Sequence, residues 1–337
     1  MKNIETFISH GKNLFKDNKF VFDKDVKKIR IDIGLSKEAV NSAEWLLEHD
    51  DIGVIGIEAN PLCHEALNMC TGTNSYINSL YLHQDKICKF MGYVSEVWFK
   101  EQILQWPRYE YEGKPAGLMH GKRIGQLDHK NYRFVASSDK VMHVAPMGTM
   151  DEEKVFRLYS VLEEIKDIKN RFCLLGGAVD NISGSDWVSR DFYSAYPNIG
   201  CSSLIRENIE ANERGATDAA DQFNHINTVS EVFNVPCFSL DAVLEHINWD
   251  TYPFIECIKI DVEGKDLDVL KSCKKYMDRV VYFRAEAHAM TTMFVKAKDM
   301  VEFMNENNFE LFDPEEGDYK FINKKYKKMA KEMNLSY

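Results

Sequence analysis

Residues 255 to 270 read I-E-C-I-K-I-D-V-E-G-K-D-L-D-V-L, and this stretch decides the fold. Ile255, Ile258, Ile260 and Val262 form a short run dense in β-branched residues, the composition of a buried strand. Gly264 ends that run before a segment spaced for a helix, so the strand stops with Asp261 and Glu263 at its carboxyl end. Ligands of open parallel α/β sheets bind just beyond the carboxyl ends of the strands, which makes both acids candidates for chemistry. The same positions also suit acids that cap the following helix.

Upstream, V-K-K-I-R-I-D-I-G alternates Ile29, Ile31 and Ile33 as a strand does and ends at Asp32 and Gly34. The next segment places Ala39, Val40, Ala43, Leu46 and Leu47 on one helical face, with Ser36 as its expected N-cap. A second strand, I-G-V-I-G-I-E, ends at Glu58, before Ala59, Asn60 and Pro61. Glu58 lies 24 residues after Gly34, close to the interval of roughly 20 at which an acid on the second strand reaches a ribose. Its two oxygens can accept from both ribose hydroxyls; alternatively, Glu58 caps a helix beginning near Pro61.

Downstream, R-F-C-L-L-G-G-A-V-D reads as a third core strand ending in small residues at Gly176 to Ala178, where a flat ring can approach the backbone. Asp180 stands where it can accept from an exocyclic amine. A polar loop containing D-F-Y is expected next, then a short strand and a helix capped by Ser239 or Asp241. R-V-V-Y-F-R-A-E-A-H forms a further strand with Glu286 and His288 at its tip. His288 is a candidate general base, because an imidazole titrates near neutrality, or else a hydrogen-bonding cap. Met300 to Phe312 predicts a helix and a last strand.

The pattern divides the chain into a leader at 1–27, α/β segments at 28–67 and 172–319, an insertion at 68–171 and a lysine-rich tail at 320–337. The insertion mixes aromatics, including Trp98, Trp106 and Tyr109, with cations such as Lys122, Arg123 and Arg133. Such a mixture serves either a sugar, base or phosphate site or the core and wet face of a subdomain. Asp151 to Lys169, with Val155, Leu158, Leu162 and Ile165 in register, predicts an amphipathic helix.

Composition narrows the functions. The 337 residues are 45% hydrophobic and 28% charged, ordinary for a globular protein, and easily bury a core. A formal net charge of −11 argues against a surface built to grip nucleic acid. No apolar run of membrane-spanning length occurs, and the amino terminus lacks the apolar core of a secretory signal. Eight scattered cysteines without a C-x-x-C pair read as buried thiols in a reducing compartment, and we expect a cytoplasmic protein.

Taken in order, these motifs resemble the FkbM-type family of S-adenosylmethionine-dependent methyltransferases. I-K-I-D-V-E-G-K-D-L-D-V-L at 258–270 is similar to that family's K-I-D-x-E-G-x-E-x-x-V-L, with Asp266 in place of the usual Glu. S-L-D at 239–241, E-A-N-P at 58–61, A-V-D at 178–180 and S-S-L at 202–204 support it. The resemblance implies a Rossmann-like class I methyltransferase sheet with helices on both faces, carrying an inserted α/β subdomain. It implies S-adenosyl-L-methionine as cofactor, with Asp32, Gly34 and Ser36 near the methionine portion, Glu58 and Asn60 at the ribose, and Ala178, Val179 and Asp180 near adenine. Asp261 and Glu263 then border the methyl-transfer site, with Asp261 the first choice of base and His288 the second. Two acids are too few to predict a metal site.

The expected function is O-methylation of a hydroxyl on a carbohydrate or other polyhydroxylated small molecule, with a small-molecule or glycan acceptor as partner and homo-oligomer formation open. One departure bears on it. The family's first loop reads D-x-G-A-N-x-G, whereas this chain reads D-I-G-L-S-K-E: Asp32 and Gly34 match, but Ser36 replaces Asn and Glu38 replaces the second Gly. The change removes a point of close backbone approach and adds a negative charge near the expected methionine carboxylate. It motivates an alternative, a methyltransferase fold that has lost catalysis and serves as a binding or assembly module. An RNA-end methyltransferase is the other alternative, and the net negative charge opposes it.

Overall fold

The computed structural model describes residues 4–36, 39–61, 63, 108–111, 114–118, 132–135, 142–146, 156–159, 168–183, 187–196, 202–211, 228–287, 297–314 and 318–332. Eight strands form the central sheet: β1 (Ile8–His10), β2 (Lys28–Ile33), β3 (Ile52–Glu58), β4 (Phe172–Gly176), β5 (Ile255–Ile260), β6 (Val280–Glu286), β7 (Phe309–Pro314) and β8 (Asp318–Asn323). Their spatial order is β1-β4-β3-β2-β5-β6-β8-β7. The five central strands β4, β3, β2, β5 and β6 are parallel. At the edges β1 pairs antiparallel with β4, and β8 runs antiparallel between β6 and β7.

The result is a mixed α/β fold with a large sheet. Burial explains the sequence pattern of its middle: all seven residues of β3 and all six of β5 are buried, so both carry apolar residues on both faces, and the two charges of β5, Glu256 and Lys259, are buried against partners. From β2 the chain steps outward through β3 to β4, then returns to place β5 on the other side of β2. The strand order therefore reverses between β2 and β5, the position at which open α/β sheets bind ligands. In this register Lys259 lies opposite Asp32, and Ile260 lies opposite Ile33.

Four helices matter for the site or its support: α1 (Val40–Glu48), α2 (Leu240–Leu244), α3 (Asp266–Lys271) and α4 (Ala297–Glu306). The Ser239 side chain caps α2 by accepting from the Ala242 amide at 3.2 Å, one of the two caps expected there. Ser36 does not cap α1. That helix starts after Ala39, and Ser36 adopts a left-handed backbone with φ 57°, because its amide is turned toward Glu58.

Three other stretches differ from expectation. The segment read as a polar leader puts Ile4, Ile8, Leu14, Phe15, Phe20, Phe22 and Val26 into the main core, and β1 extends the sheet. The D-F-Y segment expected in a loop belongs to the Val188–Tyr196 strand, which pairs with Thr228–Phe238; the latter also pairs with Ala178–Val179. This strand keeps Ser189, Arg190 and Asp191 exposed, so its composition imitates a loop. Within the segment expected as the helix Asp151 to Lys169, Phe156–Tyr159 is instead a strand of a five-stranded sheet, held on both sides by Arg108–Tyr111 and Met142–Pro146. F-R-L-Y alternates as well as it fits a helical period, and pairing with two neighbours decides for the strand. The remaining strands of that sheet are Lys114–Leu118 and Tyr132–Val135. Trp98, Trp106, Lys122 and Arg123 lie outside the described residues.

Beneath the site, β2 and β5 share a buried ionic cluster. Arg30 donates from Nε to Glu256 Oε1 at 2.7 Å, Lys28 Nζ lies 3.4 Å from Glu256 Oε2, and the guanidinium sits 5.2 Å over the Trp45 ring. Glu256 is 1% exposed, so removing a cation would leave a buried carboxylate less compensated. Arg30→Met is expected to lower the free energy of unfolding by about 3 kcal/mol. Urea denaturation measures this, and a loss below about 1 kcal/mol would contradict the role given to the pair.

Candidate active site

The strand tips at the reversal point are laced together by backbone. The Gly34 amide donates to Ile57 O at 2.9 Å, the Asp261 amide to Ile33 O at 3.0 Å, and the Gly177 amide to Glu58 O at 2.9 Å. Gly34 adopts φ 78°, and a Cβ built there would lie 1.8 Å from the Asp261 carbonyl oxygen. Only glycine allows this turn and this approach together.

A cleft opens above these tips. Gly34, Ser36, Glu58, Asn60, Ala178, Val179, Asp261 and Glu263 all line it, together with Ile33, Ile57, Ala59, Cys63, Gly177, Phe192, Ser202, Leu204 and Val262. The cleft thus brings together eight of the eleven residues expected at the site. Two more, Asp32 and Asp180, lie nearby but do not line it. Asp32 is 1% exposed and turned to α1, where Oδ2 accepts from the Ser42 hydroxyl at 2.6 Å and the Ser42 amide at 3.1 Å. Asp180 accepts from the Asn181 amide at 2.8 Å, and its Oδ1 is 3.4 Å from Lys265 Nζ. His288 lies outside the described residues, as does Glu38 of the altered first loop.

Glu58 forms one wall. Its Oε1 accepts from the Asn60 amide at 2.7 Å and its Oε2 from the Ser36 amide at 2.8 Å, so one carboxylate fixes two loops. Burial pushes this carboxyl up to about 7 against the pull of those two amides. Each oxygen keeps acceptor capacity beyond its amide, because a carboxylate offers about four lone-pair sites. Asn60 reaches across to donate to Ser202 Oγ at 3.1 Å, and Ser202 in turn accepts from the Ala195 amide at 3.0 Å.

The opposite wall is acidic. Asp261, Glu263 and Glu286 present carboxylate oxygens that all lie within 4.8 Å of one another, so they are the described residues able to hold a metal ion. Glu263 has φ 54°, a strained conformation for a residue with a side chain. Its carbonyl is braced by the Ser203 hydroxyl at 2.8 Å and the Asn208 amide group at 2.7 Å. Burial, then the charges of Glu286 and Asp261, pushes the Glu263 carboxyl well up. Asp266, 1% exposed at the start of α3, is pushed up to about 7 by burial and then by Asp261 and Glu286.

Lys259 is the cation of this wall and carried no assignment from the sequence. Its Nζ lies 3.1 Å from Asp261 Oδ2, 3.2 Å from Gly34 O and 3.7 Å from Asp32 Oδ1. Burial disfavours its charge, but Asp32 and then Asp261 prevail and hold it up at about 12. The signal was available: strand periodicity places residues i and i+2 on one side, so Lys259 had to accompany Asp261. Phe192 and the bracing serines were not legible as site residues, because they arrive from the second sheet and its loop.

The Methyltransferase FkbM domain family matches residues 32–311, most of the chain. The protein therefore belongs to the FkbM methyltransferase family, a family of methyl-transferring enzymes that generally use S-adenosylmethionine. No curated protein and no solved structure compared with the chain matches it. Among the described residues no helix is long and apolar enough to cross a membrane.

The crowded acids yield a stability prediction. Asp266 binds its proton more tightly in the folded chain than in the unfolded one, so its contribution to stability worsens as pH rises from about 4 to about 7 and stays constant above. Asp266→Asn removes that titration. The variant's melting temperature is expected to gain on the wild type between pH 5 and pH 8; a gap that is unchanged or shrinks over this range would contradict it.

Proposed function

We propose that the protein is an S-adenosylmethionine-dependent O-methyltransferase acting on a hydroxyl of a carbohydrate or other polyhydroxylated small molecule. One observation carries this reading: Glu58 and Asp261 line the same cleft at the point where the strand order reverses. Glu58 is fixed by two amides yet retains acceptor capacity for ribose hydroxyls. The Gly34 turn brings backbone to the methionine portion, and Ala178 and Val179 present small or flat surfaces, with the Phe192 ring, to adenine. Glu58, the Gly34 turn and the Ala178–Val179 segment thus offer acceptor oxygens, backbone and an apolar surface for the ribose, methionine and adenine parts of the cofactor.

When bound, the cofactor supplies an electrophilic methyl group on a sulfonium. Asp261 would take the acceptor hydroxyl's proton while the cleft holds that hydroxyl in line with the methyl group. Asp261 suits this step because Lys259 occupies Oδ2, while Oδ1 has no hydrogen bond among the described residues. Its side chain is 41% exposed, so an acceptor can reach it. The protein's contribution is mainly alignment, with proton removal added. A divalent ion on Asp261, Glu263 and Glu286 would lower the acceptor hydroxyl's pKa at the same place. Four described cysteines, Cys173, Cys237, Cys257 and Cys273, are buried free thiols, and on that ground we assign the activity to the cytoplasm.

Glu58→Ala is expected to weaken S-adenosylmethionine binding by about tenfold or more, through loss of charge-assisted hydrogen bonds and of the loop contacts. Asp261→Ala is expected to leave that binding within about threefold of wild type while lowering methyl transfer by about 10²-fold or more. Calorimetry and transfer of labelled methyl to a sugar panel measure the two properties. Parallel losses of both in both variants would contradict this division of roles.

A further inference from the structure

Lys259 touches both halves of the cleft. On one side its ammonium donates to the carbonyl of Gly34, in the turn that borders the cofactor position. On the other it donates to Asp261, the acid assigned to the acceptor's proton. Beneath both lies Asp32, which is anchored to α1 through Ser42 and opposes Lys259 across the β2–β5 ladder. The lysine is 5% exposed. A buried cation bound to two carboxylates and a carbonyl has little freedom to move, so it fixes the separation of the groups it joins.

We infer that Lys259 is a positioning residue, whose ammonium sets the Gly34 turn against Asp261 so that a bound cofactor and an acceptor meet in line. The inference rests on the methyltransferase reading of the cleft. Lys259 neither gives nor takes a proton; it acts through the two groups it holds. Without it, Asp32 and Asp261 would face each other with no intervening cation, and the Gly34 carbonyl would lose its side-chain donor while keeping the turn's backbone bond to Ile57.

The test separates this role from simple charge balance. Lys259→Met alone leaves Asp32 buried with one cation fewer and can fail to fold, so it is combined with Asp32→Asn, which removes the stranded charge. Full-length wild type, Asp32→Asn and the double variant are titrated with S-adenosylhomocysteine by calorimetry, and their melting temperatures are measured alongside. A positioning lysine predicts that the double variant melts within a few degrees of Asp32→Asn yet binds about tenfold more weakly or worse. If the double variant binds as tightly as Asp32→Asn, Lys259 only balances charge and the inference fails by itself. If the wild type does not bind the ligand at millimolar concentration, the methyltransferase reading fails and takes the inference with it.

Discussion

The approach of Gly34 to the carbonyl of Asp261 is the constraint on which the cleft depends. A Cβ at residue 34 would overlap that oxygen, so β2 and β5 can end side by side only because this position is glycine. From that contact the rest follows in order. The turn sends Ser36 back across the tip of β3, where its amide meets Glu58, and Glu58 then holds Asn60. One glycine thus brings the acid at the tip of β3 and the acid after β5 to the same opening.

Electrostatics explains why this arrangement needs bracing. Asp261 and Glu263 line one wall with Glu286 and Asp266 close by, and burial together with mutual repulsion raises the proton affinity of Glu263 and Asp266. Lys259 answers part of that charge from the floor of the site. The strained backbone of Glu263 is held from the far side by Ser203 and Asn208. Such a wall is costly for the fold alone, and stored strain with crowded acids is typical of places where function takes precedence over stability.

The central sheet was legible because burial on both faces fills its strands with β-branched residues, as in β3 and β5, and because glycines mark the tips. Most of the candidate site was legible for the same reason: Glu58 and Asp261 sit at strand ends, where position alone nominates them. The outer pieces were not. F-R-L-Y at 156–159 satisfies helical and strand periods equally, and its neighbours in the sheet settle the matter. The Val188–Tyr196 strand exposes polar residues and so resembles a loop, which concealed Phe192 and its place in the cleft. The first residues looked polar, yet seven of their apolar side chains, from Ile4 to Val26, are buried in the main core. Ser202 and Ser203 stand in a motif that could be matched but not interpreted, since their partners Asn60 and Glu263 are distant in the chain.

The central claim is that this cleft receives S-adenosylmethionine, with its ribose on Glu58 and its sulfonium beside Asp261. A crystal structure of the full chain grown with S-adenosylhomocysteine tests it most directly. The account predicts ligand density between the Gly34 turn and the Ala178–Val179 segment, with both ribose hydroxyls within about 3 Å of the Glu58 carboxylate. Density placed elsewhere, or a cleft that stays closed to the ligand at saturating concentration, would contradict it.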